Sequence, residues 1–187
     1  MEADFSIELG PDDETLSLPW AAPDGGPRYY DLKRHPELLR HIEEAQREKD
    51  LGEFLLAVNS TILETAKCDA WSTAQLNPEE EIFGAAHKFG SYVDLLFSDD
   101  RARSSFPRHE DLVKRITGLL RRAPEIPGAA ELLVRRCYYG PDARHGFYMT
   151  FYVFGYGDGE QRARQQWAIA LKLSAHALRQ ATRQAAP

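Results

Sequence analysis

AAELLVRRCYYGPDARHGFYMTFYVFGYGDGEQRARQQWAIAL, residues 129–171, holds the pattern on which the fold turns. Two apolar and aromatic runs, 129–140 and 145–157, flank Pro141-Asp142-Ala143, and such a flanked reversal predicts a β-hairpin. A glycine-rich turn follows, and then Trp167, Ala168, Leu171, Ala175 and Leu178 recur at the spacing of a core-facing helix. The turn invites comparison with a phosphate cradle. It lacks the pattern: after Gly155 and Gly157 a dinucleotide fingerprint requires glycine where Glu160 stands, and no Gly-Lys-Ser/Thr follows for a P-loop. Asp158 and Gln161 instead stand at capping-box spacing, which predicts Asp158 as N-cap.

Working upstream, residues 60–124 repeat the order strand, strand, helix. STILETAKCDAWST (60–73) and HKFGSYVDLLFSDD (87–100) read as strands, and Leu112, Val113, Ile116, Leu119 and Leu120 form a helical stripe. FGSYVDLLF (89–97) echoes HGFYMTFYVF (145–154), and Lys67-Cys68 echoes Arg136-Cys137, so the two units are compatible with an internal duplication. Before them, a helix is expected from Pro36, with a break at Asp50-Leu51-Gly52 and a second segment carrying Phe54, Leu55 and Val58. FSIELG and ETLSLPW on either side of PDD predict an N-terminal hairpin, followed by the Gly/Pro-rich connector AAPDGGPRYYD. The division expected is therefore 1–30 as hairpin and connector and 31–187 as one domain, with the tail ATRQAAP frayed.

These elements predict an α+β fold: an antiparallel sheet of roughly four to six strands, with helices on one face and an aromatic second face partly open. The element order over residues 36–184 resembles that of bacterial type III secretion chaperones and the similar YbjN-like proteins, with no shared motif and one central strand of the chaperones unmatched. The resemblance implies a fold by analogy and carries no functional residue.

Net charge is -6 over 187 residues, which argues against nonspecific attraction to nucleic acid or an anionic membrane. No apolar run spans a bilayer and MEADFSIEL has no signal-peptide pattern, so a cytoplasmic location is expected. Cys68 and Cys137 are too few and too distant to suggest a disulfide framework or a zinc site. His109-Glu110-Asp111-Leu112 is not a zinc-protease motif, and Glu37, His41 and Glu44 read as a surface pairing; no metal and no cofactor are expected.

Candidate sites follow from the hairpin. If Tyr139 pairs with His145, Cys137 lies near His145, the beginning of a thiolate dyad. On the other face Arg136 then opposes Tyr148, Val134 opposes Thr150 and Leu132 opposes Tyr152, a polar-aromatic surface suited to a ligand or a partner. Asp94 within YVDLLF needs an ionic partner such as Lys67, Arg135 or Arg136, and Asp69 lies nearby on its strand. The functional expectation is a non-enzymatic protein that binds a protein or peptide, or a second copy of itself, through the aromatic sheet face, with Arg136, Tyr148, Thr150, Tyr152, Asp69 and Asp94 as its residues. The alternative is a small-molecule-binding protein or enzyme with a cleft near Asp69, Asp94, Arg136 and Tyr148.

Overall fold

A computed structural model describes residues 1–183. The two strand-strand-helix units form as their periodicity dictates. β3 (Leu63–Thr73), β4 (His87–Phe97) and α4 (Phe106–Leu120) make the first, with the short α3 (Asp100–Arg103) between β4 and α4. β5 (Gly128–Tyr139), β6 (Arg144–Gly157) and α5 (Glu160–Arg183) make the second. The units join through β4 and β6, so the antiparallel centre of the sheet reads β5-β6-β4-β3. α5 carries the tail helical to Arg183; the rest of ATRQAAP lies outside the described residues.

The first residues form strands, but not a hairpin. β1 (Glu2–Ile7) and β2 (Thr15–Leu18) lie one after the other along the outer edge of β5, both parallel to it, which makes the sheet mixed. Asp13 does form the expected turn, its carboxylate accepting from the Gly10 N–H, but the turn is an outward excursion that returns the chain in its original direction. β5 is long enough to hold both short strands, pairing residues 129–134 with one and 136–139 with the other.

Alternation sends Phe89, Val93, Leu95, Leu132, Val134, Met149, Phe151 and Val153 to one side of the sheet, where they form a single core with Leu51, Phe54 and Val58, Leu112, Val113 and Ile116, and Trp167, Leu171 and Leu178. Each such aliphatic or aromatic side chain contributes roughly 1.5–3 kcal/mol on burial. The Trp167 indole N–H donates to the buried Ser91 hydroxyl at 2.9 Å, which registers α5 against β4. The segment 52–59, expected to follow a break, belongs to α2 (Lys49–Asn59) on this same side. The break falls earlier, at Glu48 after α1 (Glu43–Arg47), and Pro36–His41 is a 3-10 helix. Gly52 lies buried inside α2, packed close to Leu39 and Ala45.

The glycine turn serves packing. A Cβ on Gly155 would lie 2.0 Å from the Trp167 nitrogen and 2.4 Å from the Ala163 oxygen, so bare backbone is what lets α5 cross β6 at that point. The expected capping box is not made: α5 begins at Glu160, and among the described residues the Asp158 side chain accepts no hydrogen bond.

Candidate functional site

The four-residue loop of the last hairpin sets everything on the second face. Ala143 adopts φ of 48°, so Arg144 enters the ladder opposite Tyr139 and the register is one residue tighter than the sequence suggests. A slip of one exchanges the faces of a strand. Arg135, not Arg136, therefore opposes Tyr148; Leu133 opposes Thr150 and Glu131 opposes Tyr152. Arg136 pairs with Phe147 on the helix side, exposed, its guanidinium donating to the Gly10 carbonyl. Cys137 opposes Gly146, while His145 opposes Tyr138 on the opposite face, so no dyad exists. Burial raises the Cys137 thiol to about 11 and the Cys68 thiol to about 12, which disfavours the thiolate of either.

The second face divides into a covered and an uncovered part. Over the end near the hairpin turn, Leu16 and Leu18 of β2 pack on Leu96, Cys137, Tyr139 and Tyr148, with Trp20 and Tyr29 alongside. The chain from Trp20 to Lys33 thus forms a strap running from the β5 edge to the β3 edge. Its far end is anchored by Lys33, whose ammonium donates to the carbonyls of Asn59, Thr61 and Leu63. Beside the anchor, Arg103 pairs with Glu64 and Tyr29 donates to the same carboxylate at 3.5 Å. Tyr148, a candidate surface residue by sequence, is therefore a buried one, 1% exposed.

Under the strap's margin lies a polar line. Thr150, also buried, donates to Asp94 at 2.7 Å, and Arg135 reaches the Thr150 hydroxyl at 3.5 Å while holding Glu8 at 2.7 Å. Asp94 has no ion pair among the described residues; its partner is a hydroxyl, not the cation expected. Desolvation pushes its carboxyl up to about 7 against the Thr150 hydrogen bond and the more distant Lys67.

Beyond the strap the face is bare. Trp71, Tyr92, Tyr152 and Phe154, each half-buried, make one continuous aromatic surface with ring centroids 5.8 to 6.4 Å apart. Gly90 lies beneath it, and a Cβ there would meet the Phe154 ring at 2.8 Å and Trp71 at 3.2 Å, so the glycine lets these rings settle onto the sheet. At the other end, Phe83 of the loop 74–86 closes on Tyr156 at 5.0 Å. The result is a window of rings framed by strap and loop, with exposed Asp69 beside Tyr92 and exposed Glu131 beside Tyr152. Of the four rings only Tyr152 was named by sequence reasoning; Trp71, Tyr92 and Phe154 were passed over as site residues. Their signal was Gly90 in the interior of a strand, which marks a close approach.

Where the strap meets β3, an irregularity between Thr65 and Cys68 turns Lys67 outward over the rings of Trp20 (5.3 Å) and Tyr92 (5.9 Å). A cleft of about 450 Å³ opens there, lined also by Tyr30, Ile42, Cys68 and Asp69. The structure thus gathers Asp69, Tyr152 and, beneath them, Asp94 and Thr150, but leaves Arg136 and Tyr148 elsewhere. Among the described residues no three His, Cys, Asp or Glu side chains gather as a metal site, and no helix is long and apolar enough to cross a membrane. No protein-family model matches the chain, and neither does any curated protein or solved structure in the comparisons.

Proposed function

We propose that this chain is a binding protein whose framed aromatic window docks another polypeptide. The observation that carries the reading is the continuity of Trp71, Tyr92, Tyr152 and Phe154 on a face that no described helix covers. Aromatic rings give large contact area at small entropic cost, and Tyr adds a directed hydroxyl, the composition favoured at protein interfaces. Strap and loop bound the window and so give a partner a defined place. Selection of short random displayed peptides on the protein, with the same selection on Tyr152→Ser, tests this. Peptides retained by the wild type and lost on the variant support it; peptides that bind both alike place binding elsewhere.

A second reading rests on the neighbouring cleft, whose volume of about 450 Å³ suits a small ligand. Native mass spectrometry of freshly purified protein separates the two, because a retained small mass that Lys67→Ala releases favours the cleft.

A further inference from the structure

We infer that the occupant of the window is a cationic segment of another protein, its Lys and Arg side chains laid over the rings and met by carboxylates at the margins. This rests on the reading of the window as a docking surface. The register of the sheet supplies the first argument. One row across the face runs Asp4, Glu131, Tyr152, Tyr92, Asp69, and the next runs Glu2, Ala129, Phe154, Gly90, Trp71. The rings of the first row therefore lie between acidic residues on both sides, and those of the second have Glu2 at one end. Asp4 is held by Arg121 at 3.1 Å, whereas Glu2, Glu131 and Asp69 are exposed and have no ion pair among the described residues.

The second argument is that the protein already uses these rings as cation seats. The Lys88 ammonium lies 5.5 Å from the Phe154 centroid, and Lys67 lies 5.9 Å from that of Tyr92. No cation of the protein lies over Trp71 or Tyr152 among the described residues. A ring face beside a carboxylate attracts a cation through its quadrupole and through direct charge together. The third argument is charge. A second copy would bring the same acidic rows and the same net charge of -6 against this face, whereas a basic segment brings the complement.

The test uses the peptides whose retention depends on Tyr152. They should carry net positive charge, and their binding should fall about tenfold on Asp69→Lys/Glu131→Lys and weaken as salt rises from roughly 0.05 to 0.5 M. Circular dichroism of the double variant should match that of the wild type, since both side chains are exposed. Tyr152-dependent peptides that are neutral or acidic, or indifferent to the double variant, overturn the charge inference and leave the docking surface standing. Absence of any Tyr152-dependent peptide overturns both. A wild-type dimer dispersed by Tyr152→Ser makes the occupant a second copy and overturns the cationic partner.

Discussion

Asp94 and Thr150 face one another across the central ladder and are joined by a 2.7 Å hydrogen bond. They are also equivalent positions of the two strand-strand-helix units when FGSYVDLLF and HGFYMTFYVF are aligned at Gly90 and Gly146. The two units join through β4 and β6, so the buried carboxylate stands at the seam between them.

Ionisation at that seam should set an alkaline limit. An unfolded aspartate titrates near 3.8, and Asp94 in the fold at about 7, because burial penalises the carboxylate. The raised value means that its contribution is complete below 3.8 and is lost as pH rises through 7. Asp94→Asn keeps an oxygen for Thr150 and cannot ionise. Relative to wild type it should gain roughly 2–3 kcal/mol between about pH 5 and about pH 8.5 in denaturant titrations. Curves that stay parallel over that range would show that Asp94 does not hold its proton.

Gly155→Ala should destabilise the fold severely, by more than about 3 kcal/mol, because the added Cβ meets the backbone of α5 and not a side chain that could swing away. Gly159→Ala, just before α5, meets nothing within 4 Å and should change stability by less than about 1 kcal/mol. Equal urea midpoints for the two variants would refute the close approach of helix and strand.

The strap should depend on one ammonium group. Lys33→Met removes the donor shared by the carbonyls of Asn59, Thr61 and Leu63, a loss of roughly 1–3 kcal/mol. In a Cys68→Ser background the same change should speed labelling of Cys137 by a thiol reagent, since Leu16 and Leu18 at the strap's root cover that thiol. An unaltered labelling rate alongside a lowered midpoint would show that the cover over Cys137 holds without the Lys33 anchor.

Most of the central architecture was legible because period and turn chemistry are local properties. Phe147, Met149, Phe151 and Val153 alternate, and the core face follows from that alone. The site was less legible because it hangs on a register, and the register hangs on whether Ala143 accepts a left-handed conformation. That single torsion exchanged Arg135 for Arg136 and separated Cys137 from His145. The strap was hidden for a different reason. Nothing in AAPDGGPRYYD states what it will lie on, since its partners are Tyr148, Leu96 and Glu64 from three distant strands.

The two short parallel strands carry a consequence for the order of assembly. Glu2 must find Ala129 and Thr15 must find Arg136, with β3, β4 and α4 intervening. On a ribosome the N-terminal strands emerge long before β5 exists, and parallel pairing over such a separation is slow because the closing loop costs entropy before any contact compensates it. Until that closure the outer edge of β5 is an unpaired template, open to strands of other chains. The nascent protein is thus most vulnerable to aggregation in the interval between completion of its central hairpins and the docking of the two strands that precede them.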